Sequence, residues 1–141
     1  MTLDKLFLSL HVVGALMWIG SLFALTAFLE AFAAEPDAAA RGRLLKYLRQ
    51  AAIVPDVGAT IAIVFGLHWL FKFKLYQMPY MHIKLALVAG VIAIHGYLKM
   101  KARKARKGET FTAPPLAFKP LITLVATGII LFVIEKWPLP S

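Results

Sequence analysis

Residues 6–29 read LFLSLHVVGALMWIGSLFALTAFL, an apolar run that contains no Asp, Glu, Lys or Arg. A helix needs about 20 predominantly apolar residues to cross the hydrocarbon core of a bilayer. The run is longer than the apolar region of a secretory signal peptide, and residues 1–5 carry one Lys and one Asp rather than a net positive charge. We therefore expect a retained transmembrane helix here.

Three further segments have a similar apolar composition, over about residues 51–71, 79–98 and 116–134. Of the 141 residues, 60% are hydrophobic and the mean hydropathy is +0.74, whereas a soluble domain is about 45–50% apolar. Short loops between the segments favour antiparallel neighbours. The sequence predicts an all-α integral membrane protein, a four-transmembrane-helix bundle in which residues 1–141 form one domain.

Basic residues are distributed unevenly around these four segments. Sixteen Lys and Arg stand against seven Asp and Glu, for a formal net charge of +9. Eleven bases lie on one side: ten between the first and second or the third and fourth segments, and Lys119 at the start of the fourth. Lys84 lies inside the third segment, and the others are Lys5, Lys72, Lys74 and Lys136. The positive-inside rule therefore predicts cytoplasmic basic loops and both termini outside, in a bacterial inner membrane. We expect these loops to contact anionic lipid, and no nucleic acid as a partner.

Cysteine is absent from the chain, whereas four histidines are present. The absence of cysteine excludes disulfides, thiolate-bound iron–sulfur clusters, c-type haem and Cys-ligated zinc. Two neutral imidazoles can hold haem iron, and imidazoles with Met side chains can hold copper. Both cofactors remain open at this point.

Polar residues inside a span are costly and are often functional. His11 and Trp18 are seven residues apart and therefore share one helical face, with Gly14 between them. A small residue beside a histidine leaves room either for a flat macrocycle or for close packing of a second helix.

The third segment carries Lys84 and His95 on one helical stripe, while His82, two residues before the lysine, points roughly the other way. His68 stands near the end of the second segment, where an interfacial side chain and an additional metal ligand are the two interpretations. Lysine in the second turn of a span is difficult to explain as a loop charge, so we select Lys84 as a candidate functional residue.

The third segment also carries the clearest family resemblance. Residues 81–88, MHIKLALV, followed by residues 94–97, IHGY, resemble the third helix of the HemJ-type protoporphyrinogen oxidase family. The run from His11 to Trp18-Ile19-Gly20 and Phe23 resembles the first helix of that family and of the wider CopD-like membrane group. The chain departs from the pattern at Leu25-Thr26-Ala27, where the family usually has Leu-Pro-Arg, and at Phe118-Lys119, where it often has Asn-Glu.

This resemblance implies a divergent membrane haem b protein that oxidises protoporphyrinogen IX to protoporphyrin IX, with a membrane quinone as electron acceptor. It implies His11 as a haem ligand, His82 as the second ligand, and Lys84 as a partner of a propionate or a proton acceptor. Trp18 and Gly14 would border the cofactor, and His95 would assist proton transfer. A CopD-like copper protein and a cytochrome b-like carrier are the alternatives, and small-residue faces permit a homo-oligomer.

Overall fold

The computed structural model describes residues 2–110 and 112–136, with side chains as far as residue 132. The side chain of Lys136, one of the bases predicted on the outer side, lies outside the described residues. Helix is the only regular secondary structure in the described part of the chain. The helices are α1 (Leu3–Ala34), α2 (Ala38–Ala51), α3 (Val54–Lys72), α4 (Pro79–Lys107) and α5 (Phe118–Lys136), with a 3-10 turn at Leu75–Gln77.

Three stretches of helix are long and apolar enough to cross a membrane: Leu3–Ala34, Ala38–Lys72 and Pro79–Lys107. This composition indicates a membrane protein. The fourth predicted span corresponds to α5. Its part with described side chains, Phe118–Phe132, is apolar but shorter than the other three stretches.

Local chemistry explains where several helices begin and end. Asp37 caps α2, because its carboxylate accepts a hydrogen bond from the backbone N–H of Ala40 at 2.8 Å. Proline at position 55 stands in the first turn of α3, and α4 likewise begins at Pro79. Gly108 ends α4 with a φ of 71°, a left-handed conformation that glycine adopts without strain.

Helix α1 is central, because it contacts each of the other helices and lies closest to α3. Two glycines permit this close approach. A Cβ on Gly14 would lie 2.5 Å from the backbone nitrogen of Ala62, and one on Gly58 would lie 2.5 Å from the backbone nitrogen of Trp18. The backbones of α1 and α3 are therefore in direct contact at this crossing.

Ion pairs at the two ends of the bundle show which helix ends lie together. At one end Lys72, the last residue of α3, pairs with Asp4 at the start of α1. At the other end Lys119, in the first turn of α5, lies 2.6 Å from the carboxylate of Glu30 near the end of α1. Most of the basic residues lie at this second end, which we call the basic end.

Packing differs between the two halves of the bundle. The basic half contains fully buried leucines from three helices, namely Leu22, Leu25 and Leu29 of α1, Leu48 of α2 and Leu98 of α4. In the other half α3 hardly touches α4, although both pack on α1. The gaps that result are the cavities of the candidate site.

Candidate functional site

Two adjoining cavities occupy the loosely packed half of the bundle. The first, which we call the α3 cavity, has a volume of about 320 Å³ and lies between α1, α3 and α4. The second, the α5 cavity, has a volume of about 560 Å³ and lies between α1, α4 and α5. Their shared lining is apolar except for two side chains, His11 and Lys84. Volumes of this size are typical of small-molecule and cofactor sites.

The imidazole of His11 is held against α3 by one strong hydrogen bond. Its Nδ1 lies 2.7 Å from the carbonyl oxygen of Ala62, which can only accept, so the proton is on Nδ1. Its Nε2 is then an unprotonated nitrogen with no hydrogen-bond partner among the described residues. A Cβ on Gly66 would lie 2.8 Å from Cε1 and 2.9 Å from Nδ1 of this ring. Glycine at position 66 therefore makes room for the imidazole.

Lys84 reaches both cavities from α4. The side chain is half-buried, and it has no carboxylate partner among the described residues. An ammonium group in apolar surroundings without a counter-ion favours an anionic ligand. The predicted pair of His11 and Lys84 is thus brought together from α1 and α4.

A hydrogen-bonded series runs from the wall of the α3 cavity to the basic end. The indole Nε1–H of Trp18, a cavity-lining residue that is 4% exposed, donates to Nδ1 of His95 at 3.0 Å. Nε2 of His95 is 2.9 Å from Oδ1 of Asp56, and Oδ2 of Asp56 is 2.5 Å from the ammonium of Lys99. Lys99 also donates to the carbonyl of Ala52 at 2.7 Å.

This series determines the protonation state of His95. An indole N–H is a donor only, so Nδ1 of His95 must be an unprotonated acceptor. The ring proton is therefore on Nε2 and is donated to the carboxylate of Asp56. Both ring nitrogens of His95 therefore have hydrogen-bond partners, and neither nitrogen is free to bind a metal ion in this arrangement. His95 does not line the cavity, because it lies behind Trp18.

The two remaining histidines are not among the residues that line either cavity. Nε2 of His82 donates to the carbonyl of Tyr76 at 2.8 Å on an exposed surface. His68 packs its ring edge-on against Phe7, with ring centroids 4.9 Å apart, and its Nε2 is buried without a partner among the described residues. The structure does not bring either residue to His11, so their assignment as metal ligands stays a prediction.

The sequence predicts two roles for Gly14, room for a macrocycle or close packing of a second helix. In the structure Gly14 lies at the crossing of α1 and α3 and has the packing role. The cavity linings include its neighbour Ala15 instead. Across the described residues, no group of three or more His, Cys, Asp or Glu side chains could hold a metal ion.

Comparison with known proteins identifies no relative of this chain. The chain matches no family model, no curated protein and no solved structure. The resemblance to the HemJ-type family thus remains a prediction from the motifs in the sequence.

Three residues of the site were not selected from the sequence: Asp56, Gly66 and Lys99. The position of Asp56 near the positive end of a helix is sufficient to explain a carboxylate there, although the sequence leaves a proton-handling role open. Lys99 is counted from the sequence among the bases of a cytoplasmic loop. Gly66 is next to His11 only in three dimensions. Their partners lie on other helices, and no local pattern in the sequence reports such a contact.

Proposed function

We propose that this chain is a haem b-binding redox protein of the membrane, similar in activity to the HemJ-type protoporphyrinogen oxidases. One observation carries the proposal: the imidazole of His11 is anchored through Nδ1 to a backbone carbonyl and keeps Nε2 free beside an apolar cavity. Histidine ligands of metals generally donate their other ring N–H to a carbonyl or carboxylate, which fixes the tautomer and the orientation of the ring.

The remaining chemistry of the cavities also fits haem b. The macrocycle is flat and apolar and carries two propionates, so it needs an apolar slot with a cation at its edge. Lys84 supplies that cation, and we assign it to a propionate. His11 would hold the iron, while His82 is retained as the proposed second ligand.

In the membrane, we propose four spans with both termini outside and the basic end in the cytoplasm of a bacterial inner membrane. The uneven distribution of basic residues supports this orientation. The pair of Glu30, near the end of α1, and Lys119, in the first turn of α5, supports placing the two basic loops on the same side. Contacts of the basic residues with anionic lipid follow from the same placement.

The proposed reaction removes six electrons and six protons from protoporphyrinogen IX and gives protoporphyrin IX. The substrate is apolar apart from its propionates, so it would reach the cavities from the bilayer, and Lys84 would orient a carboxylate. Haem b, when bound, supplies single-electron transfer to a membrane quinone. Proton removal depends on side chains near the cavity, and His95 is the candidate acceptor.

An absorption spectrum of the protein purified in detergent tests haem binding. We expect a Soret band, with b-type α and β bands on reduction, and loss or a shift of these bands in His11→Ala. The matched variant His68→Gln should keep the spectrum, because the ring of His68 packs against Phe7 and does not line either cavity. A colourless protein that binds copper stoichiometrically would instead support the CopD-like alternative.

Oxidase activity needs a separate test, because haem binding alone is also expected of an electron carrier. We expect the chain to rescue a bacterial strain that lacks its protoporphyrinogen oxidase, and Lys84→Met to lose this rescue at equal expression. Haem binding without rescue would favour a cytochrome b-like carrier with another substrate.

A further inference from the structure

The series Trp18–His95–Asp56–Lys99 links the interior of the bundle to its basic end. Trp18 lines the α3 cavity and is 4% exposed, whereas the side chain of Asp56 is 47% exposed. Each step between these two residues is a direct hydrogen bond, at 3.0 Å and 2.9 Å. A titratable ring thus stands between a buried cavity and a carboxylate that water can reach.

We infer that this series is the route by which protons leave the cavity, with His95 as the acceptor, Asp56 as the carrier to the basic end, and Trp18 as the residue that opens and closes access. The inference rests on the proposed function only for the source of the protons. The geometry of the route does not depend on it.

Access to His95 is controlled by Trp18, because in the hydrogen bond between them only Trp18 can be the donor. The indole N–H cannot accept, so a proton on Nδ1 of His95 and the indole N–H of Trp18 would repel each other. A proton reaches Nδ1 only when the indole turns away, and the indole returns only when that nitrogen is free again. Since Trp18 lines the α3 cavity, every proton transfer changes the cavity wall.

The proton balance of one passage is simple and involves no electrons. A proton from the cavity binds Nδ1 of His95 and gives an imidazolium that is paired with Asp56. The proton on Nε2 then moves to Oδ1 of Asp56 and from there to water. Water, which reaches the Asp56 side of the ring, then accepts the remaining ring proton from Nδ1 and returns one to Nε2, so that Nδ1 is unprotonated again and accepts from Trp18.

The surroundings of His95 suit this role on every side that contacts it. Helix α3 presents the Asp56 carboxylate, which stabilises an imidazolium, and α1 presents the uncharged indole. Lys99 of α4 acts through Asp56: it binds Oδ2 and leaves Oδ1 directed at His95. The carbonyl of Ala52, at the end of α2, holds the Lys99 ammonium in place. We therefore regard Lys99 as a positioning residue.

A purely structural bridge between α1, α3 and α4 is the alternative explanation. Both explanations predict that His95→Ala weakens the bundle, so stability cannot distinguish them. Only a proton route requires that His95 takes up a proton at Nδ1 and that Trp18 loses its hydrogen bond in the same step.

Nitrogen-15 NMR of the whole protein in lipid nanodiscs, labelled at histidine and tryptophan, measures both events without any enzyme assay. His95→Gln and Trp18→Phe assign the two signals, and His68→Gln is the matched control that must leave them in place. We expect His95 to carry its proton on Nε2 when the ring is neutral and to take up the second proton at Nδ1 as the pH is lowered. The indole nitrogen signal of Trp18 should change together with this uptake. A His95 that takes up no proton at any pH at which the protein stays folded, or an indole signal that does not follow the uptake, would overturn the inference.

Turnover measurements add a second readout that a structural bridge would not give. Proton transfer by a positioned side chain contributes about 10²–10⁴-fold, so His95→Ala and Asp56→Asn should lower kcat by about that factor while the KM for the porphyrinogen stays unchanged. Added imidazole should restore part of the kcat of His95→Ala. Equal losses in kcat and in haem content, without rescue by imidazole, would contradict a proton route. If the wild-type protein shows no turnover at all, the proposed function fails, and the NMR titration still decides the inference.

Discussion

At the scale of single residues, the geometry of His11 depends on a glycine that the ring itself contacts. The imidazole lies between the carbonyl of Ala62, to which it donates at 2.7 Å, and the space left by the missing side chain of Gly66. It cannot withdraw, since α1 and α3 are in backbone contact one turn further along, at Gly14.

Gly66→Ala is therefore expected to disturb the proposed haem ligand more than the fold. The added methyl would lie 2.8 Å from Cε1 of His11 and must push the ring off its hydrogen bond. We expect haem affinity to fall about tenfold, which corresponds to about 1.4 kcal/mol, with a shifted Soret band. The measurement is a haem titration followed by absorption. Gly96→Ala is the control, because a Cβ there meets nothing within 4 Å. Equal affinities for the two variants would refute the role of Gly66.

At this scale the sequence predicts which residues share a helical face, but not which residues meet between helices. The 3.6-residue period placed His11 and Trp18 on one face, and both line the α3 cavity. The same period assigned Lys84 and His95 to one stripe, and both face α1. The contact between His95 and Asp56 joins residues 39 apart on different helices. Only tertiary packing brings them together, so their roles could not be derived from local spacing.

At the scale of helices, α1 and α3 form the rigid part of the bundle. Their contact at Gly14 and Gly58 is made by backbone atoms, which cannot move aside as a flexible side chain would. Trp18 belongs to both features, since its backbone touches Gly58 and its indole touches His95. The crossing of α1 and α3 thus sets the position of one wall of the α3 cavity.

Gly58→Ala is expected to force these two helices apart. The new Cβ would lie 2.5 Å from the nitrogen and 2.9 Å from the Cα of Trp18. Overpacking of this kind costs about 1–3 kcal/mol, and we expect that loss in the free energy of unfolding measured in mixed micelles. On α4, Gly90→Ala is the matched control: its Cβ meets nothing within 4 Å, and alanine favours helix, so stability should stay equal or rise. A Gly58→Ala variant as stable as this control would argue against the close contact.

The lengths of the helices were harder to predict than their existence. Hydropathy indicated a boundary near residue 98, yet α4 continues to Lys107. Hydropathy reports where a segment leaves the membrane, whereas lysine and arginine are good helix formers and continue the helix into water. Lys101 illustrates this: it is 8% exposed, and its ammonium donates to the carbonyl and the hydroxyl of Thr112. A base counted as a loop charge is thus part of the packing.

At the scale of the whole molecule, charge and packing are distributed along the same axis. The basic end is tightly packed around buried leucines, and the opposite half is hollow and contains His11 and Lys84. Lys119 pairs with Glu30 of α1, so α1 and α5 are joined electrostatically at this end. A porphyrin entering from the bilayer would meet the hollow half, while protons would leave at the basic end.

The predicted orientation in the membrane is the property on which this division depends, and the absence of cysteine makes it directly measurable. Single cysteines can replace neutral residues at four positions, Gln50 and Thr110 towards the basic end, Gln77 at the opposite end, and Ser141 at the C-terminus. We expect a membrane-impermeant maleimide to label Gln77→Cys and Ser141→Cys on intact spheroplasts, but Gln50→Cys and Thr110→Cys only after lysis, because the positive-inside rule retains the basic loops in the cytoplasm.

Labelling of all four after lysis is the control for reactivity. If Ser141→Cys reacted only after lysis while the other three behaved as expected, α5 would not cross the bilayer, and the bundle would have three spans. If Gln50→Cys and Thr110→Cys reacted on intact spheroplasts, the orientation would be reversed, and Asp56 would release protons to the outside.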